Sequence, residues 1–264
     1  MSGFFSSSPH FYDCSGPLPV AAYDAGLREA RTANLYVSPT AVAYVRSNPG
    51  LDIWKQSLLV ETVLANPQLY DESVKDYKKR IREQVRKPAT TAADFGTSVH
   101  DMLEHYPQMP LDPALMPWFE EYSRWHESNV AETIGNELLL AHHGIGVAGK
   151  TDRICVLKDG RTAVVDYKTQ GIKPGRKPNF YESWAWQISF YARAYEIQEN
   201  LSIPLTCINL VIDSTKPSPP IAKEWTLEEI DLAWKAFVCH AWLWQSEKDF
   251  WPVGKWQIPD FYTT

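Results

Sequence analysis

Asp166 and Lys168 stand one residue apart in "AVVDYKTQG", residues 163–171, at the end of an apolar run. Side chains alternate faces along a strand, so this carboxylate and ammonium point the same way. Taken alone the pair has two readings. It is a surface ion pair at a strand end, worth at most about 1 kcal/mol, or it is part of a reactive site. Asp152 lies in "GVAGKTDRICVL" just upstream, and Lys158-Asp159-Gly160 separates the two runs with a tight hairpin signature. Such a hairpin carries Asp152 toward Asp166 and Lys168. Glu137, in "GNELLL" on the preceding strand, joins from the side. Three carboxylates held close repel one another, and a protein gathers them only with compensation. A hard divalent cation supplies it: Mg2+ takes oxygen ligands at roughly 2.0–2.1 Å and keeps several waters. Water bound to such a metal is acidified and becomes a nucleophile at neutral pH. A lysine beside it orients that water and offsets charge on a phosphate.

The elements that must hold these residues are legible in outline. Residues 132–142, 146–157 and 161–169 are rich in Val, Ile, Leu and Thr and read as strands. A helix from Phe180 to Gln198 follows, then a strand from Leu205 to Ile212 and the Pro-rich loop "DSTKPSPPIAK". Thr226 opens a last helix, with Glu228 and Glu229 in its first turn favoured by the helix dipole. Upstream the chain reads as helical. Ser38 and Pro39 are a cap and first position, with Asn48-Pro49-Gly50 as the stop, and a second helix covers Leu51 to Ala65. "DESVKDYKKRIREQV" is charged along one side and reads as a surface helix with a solvated face. "TTAADFGTSVHDMLEHY" is a further helical stretch, and Asp112-Pro113 starts another to about Ser128. The expectation is one domain over residues 1–264. It comprises a loosely ordered tail at 1–20, a helical section at 35–130, a sheet with its following helix at 131–213, and a C-terminal helix at 226–247.

Composition narrows the classes. At 264 residues and 44% hydrophobic, the chain can bury a sizeable core. No apolar run approaches a membrane span, and "MSGFFSSSPHFYDCSG" does not read as a secretory signal. Cys14, Cys155, Cys207 and Cys239 are scattered and contain no CxxC, which argues against a zinc site, an iron–sulfur cluster or a disulfide framework. Reduced thiols in a cytoplasmic protein are the simplest account. The net charge of −6 weighs against a passive nucleic-acid coat, though not against a local basic track. Lys173, Arg176 and Lys177 make such a track in the loop "TQGIKPGRKPNFYESWAWQ", with Trp184 close behind. That loop is either a path for a nucleic-acid strand or a solvated loop before a helix with core tryptophans. Gln187 and Tyr191 share a helix face at i, i+4, as site residues or as helix surface and core. His142-His143 has no ligand-like partner spacing and reads as loop.

Glu137, "GKTDRI", "VVDYKTQ" and "QISFYARAYE" in that order resemble the PD-(D/E)xK nuclease superfamily. The pattern is most similar to the branch of RecB-type nuclease domains, phage and RecE-type exonucleases and the mitochondrial genome maintenance exonuclease. "FGTSVHDMLE" resembles that branch's upstream G-T-x-x-H segment, and "LYVSPTAVAYVRSNPGLDIWKQ" resembles the opening of some members. The resemblance spans roughly residues 35–200. It implies an α/β (α+β) fold with a restriction-endonuclease-like central mixed sheet flanked by helices and a helical N-terminal section. It implies Asp152 and Asp166 as metal ligands, the Tyr167 carbonyl as another, Lys168 as the catalytic lysine and Glu137 as the upstream acidic residue. His100 matches the histidine that approaches the metal, and Gln187 and Tyr191 match the helix face that helps hold nucleic acid. The implied cofactor is Mg2+ or Mn2+, without an iron–sulfur cluster. The implied activity is a metal-dependent DNA exonuclease giving 5′-phosphate products, in phage or bacterial recombination, replication or repair. Its partners would be single-stranded DNA or duplex ends and a single-strand annealing or binding protein, with no membrane. The alternatives are a site-specific or structure-specific endonuclease on the same core and a non-catalytic DNA-binding module.

Overall fold

The structure, a computed structural model, describes residues 10–45 and 49–261, the side chains of 49–52, 54, 87–90 and 92 apart. In chain order the elements are β1 (Phe11–Asp13), β2 (Val20–Ala22), α1 (Leu27–Ala33), β3 (Tyr36–Val37), α2 (Pro39–Ala43), α3 (Pro49–Ala65) and α4 (Val74–Glu104). A 3-10 turn at Pro113–Leu115 leads into α5 (Met116–Asn129). Then come β4 (Val130–His142), β5 (Val147–Leu157), β6 (Thr162–Gln170), α6 (Glu182–Gln198), β7 (Thr206–Asp213), β8 (Ile221–Trp225) and α7 (Leu227–Glu247). The strands form one mixed sheet in the order β2-β1-β3-β5-β6-β7-β8, with β4 also paired to β5. The β4–β5 and β5–β6 pairs are antiparallel, and β6 runs parallel to β7. A parallel pair needs a crossover, and α6 provides it. This is a central mixed sheet flanked by helices, as the sequence predicts.

The period-two alternation of the strands divides the core. Ile154 and Val164 face Ile188, Phe190 and Phe237 of α6 and α7. Cys155, Val165 and Tyr167 face Val99, Leu103 and Tyr122 of α4 and α5. Both faces of β5 and β6 are therefore covered, which explains their nearly continuous apolar runs.

Local caps hold the helices where the sequence places them. Ala41 N donates to Ser38 Oγ at 3.1 Å, and Ala114 N to Asp112 Oδ1 at 2.9 Å. Thr226 and Glu229 form a reciprocal capping box at 3.2 and 2.8 Å. Other expectations are corrected. Within the tail expected at 1–20, Phe11–Asp13 is a strand, and a second one begins at Val20. Phe11 and Tyr12 are buried, and β1 pairs with both β2 and β3, so apolar contact and hydrogen bonding anchor this segment. Residues 1–9 lie outside the described residues, as does Asn48 of the expected helix stop. The section at 35–130 is not purely helical, since Tyr36–Val37 joins the sheet. The two charged helical stretches are one 31-residue helix, α4. The end of the Pro-rich loop becomes β8, paired antiparallel to β7. Among the described residues no helix is long and apolar enough to cross a membrane.

Candidate active site

The site forms where β5 and β6 part. Their ladder runs from Val156↔Thr162 to Arg153↔Val165. At the next position the Tyr167 N–H is no longer met by a backbone carbonyl of β5. The Asp152 Oδ2 accepts it instead, at 2.6 Å. On its other side β6 stays paired to β7 as far as Gln170↔Asp213. Asp166, Tyr167 and Lys168 are therefore held rigidly by β7 while the β5 side opens into a cleft of about 460 Å³.

Asp166 is almost fully buried, 2% exposed. Lys168 Nζ lies 2.8 Å from its Oδ2 and 3.0 Å from its Oδ1. Asn209, its neighbour on β7, donates from Nδ2 to Oδ2 at 2.6 Å. Trp225 on β8 sets the orientation of that amide. Its indole N–H can only donate, and it donates to Asn209 Oδ1 at 2.7 Å, leaving the NH2 group toward Asp166. Lys168 also donates to Gln187 Oε1 at 3.0 Å. The Gln187 NH2 group in turn lies 3.2 Å from both Thr40 Oγ1 and the Tyr191 hydroxyl. Trp184 lies under the same ammonium, with Nζ 6.0 Å from its ring centre.

His100 comes from α4. That helix approaches β6 closely because residue 96 is glycine: a Cβ there would lie 3.0 Å from Thr169 Oγ1. One turn on, His100 Nδ1 is 3.6 Å from Asp152 Oδ1. The two aspartates are electrostatically unlike. Burial pushes Asp152 up, but His100, Lys168 and the Tyr167 N–H outweigh it and hold the carboxyl below the ordinary range. Burial dominates at Asp166 and, with Asp152 adding to it, pushes the carboxyl up to about 6 against the pull of Lys168.

The pairs Asn136↔Arg153 and Leu138↔Thr151 place Glu137 across from Asp152. Glu137 has a left-handed backbone, φ 53°, in the middle of a strand, where a residue with a Cβ is strained. Its carboxylate lines the cleft and is ion-paired to Lys150. Because glycine adopts this φ without strain, Glu137→Gly should be more stable than Glu137→Ala by about 1 kcal/mol in denaturant unfolding. Equal midpoints would show the conformation to be unstrained.

The residues expected at the site separate into two groups. Asp152, Asp166, Lys168, Glu137, His100, Gln187 and Tyr191 all line the one cleft. The Tyr167 side chain points to the other face, where its hydroxyl lies 2.7 Å from that of Tyr122. Lys173, Arg176 and Lys177 lie exposed on the loop between β6 and α6 and do not line the cleft. Sequence reading missed Asn209, Trp225, Thr40 and Lys150. Asn209 was detectable as the lone amide in the apolar run "TCINLVID", and Lys150 by its period-two spacing from Asp152.

The donor set suits a hard divalent cation, since Asp152 and Asp166 offer carboxylate oxygens from adjoining strands. Lys168 and Lys150 now compensate the acidic residues of the cleft. Among the described residues, three metal-ligand groups within 4.8 Å of one another occur only at Asp101, Glu104 and His105, near the end of α4. Asp101 and Glu104 of that cluster line the same cleft as Asp166 and Lys168, while His105 does not.

Residues 113–235 match the family model of the PD-(D/E)XK nuclease superfamily. The matched segment runs from the turn before α5 into α7 and includes Asp152, Asp166, Lys168 and the α6 face. The mixed sheet flanked by helices is consistent with the restriction-endonuclease-like fold of that superfamily. A solved structure titled "Crystal structure of SSO0001" is similar at 13% identity, over 73% of this chain and 87% of that one, with a TM-score of 0.32. No curated protein matches the chain.

Proposed function

We propose that the protein is a metal-dependent deoxyribonuclease that hydrolyses phosphodiester bonds from a DNA end and leaves 5′-phosphates. The carrying observation is the Asp152–Asp166–Lys168 arrangement at the parting of β5 and β6, inside a segment that matches a nuclease superfamily. Asp152 and Asp166 would hold Mg2+ or Mn2+, with the Tyr167 carbonyl, Glu137 and His100 as the further donors. Once bound, the metal supplies Lewis acidity toward the phosphate and an acidified water.

The protein's own residues do the rest. Lys168 holds its ammonium between Asp166 and Gln187. Were Asp166 to hold a cation, Lys168 would keep its contact with Gln187 and present its ammonium to the cleft. There it can orient water and neutralise charge on the phosphate oxygens. Gln187, held by Thr40 and Tyr191, limits where the ammonium can go. His100 keeps Asp152 ionised and ready for a cation. Lys173, Arg176, Lys177 and Trp184 would contact the strand outside the cleft.

Asp166 must shed its proton to bind a cation. Mn2+ affinity should therefore fall as pH drops through about 6, by about tenfold per pH unit for the Asp166 proton, and more steeply where His100, lowered by burial but raised further by Asp152, must also give up a proton to ligate. Calorimetric titrations between pH 7.5 and 5 check this, and a flat profile would contradict it. End dependence is tested by timed digestion of linear and covalently closed circular DNA of one sequence. The linear form should be degraded and the circle spared. Equal cutting of both would favour an endonuclease.

A further inference from the structure

The first half of α4 carries Lys75, Lys78, Lys79, Arg82 and Arg86, all exposed. An α-helix turns about 100° per residue. At that rate the five cations fall within an arc of about 100°, one stripe along the helix. Carrying the count forward, Ala93, Gly96, Thr97, His100 and Glu104 fall within the same arc and line the cleft, with Asp101, also a lining residue, just beside it. The helix is assigned without a break over Val74–Glu104, although Pro88 in its interior lacks the N–H for one rung of the ladder. From Lys75 to His100 the helix rises about 38 Å.

Other charges on this half of α4 are turned aside or already engaged. Arg80 lies outside the arc and is ion-paired to Glu72 at 2.8 Å. Asp76 and Glu83 lie beside the stripe, and Asp76 accepts a hydrogen bond from the Ser73 hydroxyl at 2.6 Å. Among the described residues, none of the five stripe cations makes an ion pair. A solvated helix needs no such segregation. Five cations left on one face, in a protein of net charge −6, suit an extended polyanion.

We infer that this stripe binds the phosphate backbone of the nucleic-acid strand and leads it along α4 into the cleft. The inference rests on the nuclease reading and adds a substrate path to it. The stripe, unlike the basic loop after β6, lies on the same helix face as cleft-lining residues. Its contribution should be independent of base sequence and strongly salt-dependent.

The test compares the 264-residue chain with a variant carrying Lys78→Gln, Lys79→Gln, Arg82→Gln and Arg86→Gln. Affinity for a labelled single strand long enough to span stripe and cleft is measured by anisotropy over a range of salt, in EDTA. Far-UV circular dichroism and Mn2+ titration are run in parallel. Each lost phosphate contact reduces the slope of log K against log salt by about 0.7 for single strands, so the variant's slope should be shallower by about 2–3. Mn2+ binding should persist. A slope equal to wild type, with folding and Mn2+ binding intact, would overturn the stripe and leave the nuclease reading standing. Failure of the wild-type chain to bind DNA or Mn2+ would overturn both. A variant that fails to fold is replaced by Lys78→Gln with Lys79→Gln alone, for which the expected change is about 1.4.

Discussion

Asp166→Asn should abolish metal-dependent hydrolysis, lowering the rate by at least about 10³-fold, while the protein still folds. The asparagine side chain has nearly the same shape, so packing against β7 is kept. What changes is charge and donor balance. Asp166 now accepts from Lys168 at both oxygens and from Asn209 at one. An amide keeps one acceptor oxygen, and it cannot serve as an anionic ligand. A neutral residue here leaves Asp152 as the only carboxylate where β5 and β6 part, and Mn2+ affinity should fall with the rate. Calorimetry and a hydrolysis assay on one preparation check both effects. Wild-type Mn2+ affinity in the Asn variant would remove Asp166 from the metal site.

Lys168→Met should separate the two properties. Hydrolysis should fall by about 10²–10⁴-fold, the range for loss of a positioned proton-transfer or charge-stabilising group. Mn2+ binding should persist or tighten, because the ammonium that occupies Asp166 is gone and no cation competes for its oxygens. The same change should reduce stability of the metal-free protein by about 3 kcal/mol, since it strands a buried carboxylate beside Asn209 alone. Added Mn2+ should restore much of that loss by mass action. Loss of metal binding in the Met variant would instead make Lys168 a structural prop for the site.

Much of this arrangement is legible in the sequence because it follows from local rules. Period-two alternation puts Asp166 and Lys168 on one face, and the Lys158-Asp159-Gly160 turn folds Asp152 back toward them. Helical spacing puts Gln187 and Tyr191 together, and all of these side chains line one cleft. Residues whose role depends on distant pairing were not legible. Asn209 meets Asp166 only because β7 pairs in parallel with β6 across a crossover, and Trp225 meets Asn209 only because β8 pairs with β7. The three-residue strands β1 and β2 are too short to show a period, and their partners are remote in the chain. Lys150 is legible only through the alternation it shares with Asp152. The left-handed backbone of Glu137 has no mark in residue type, since strain of this kind is favoured by glycine or asparagine and is here imposed on a glutamate. The solvated face expected for "DESVKDYKKRIREQV" acquires a direction only when α4 proves continuous with the helix that carries His100.

The most direct test of the central reading is a timed digestion of end-labelled linear DNA by wild type and by Asp166→Asn. It is run with Mn2+ and again with EDTA, with folding of both proteins verified beforehand. A metal-dependent nuclease centred on Asp152, Asp166 and Lys168 predicts rapid loss of label with wild type and Mn2+, and none in the other three reactions. Cleavage that survives EDTA, or that Asp166→Asn performs at the wild-type rate, would contradict it.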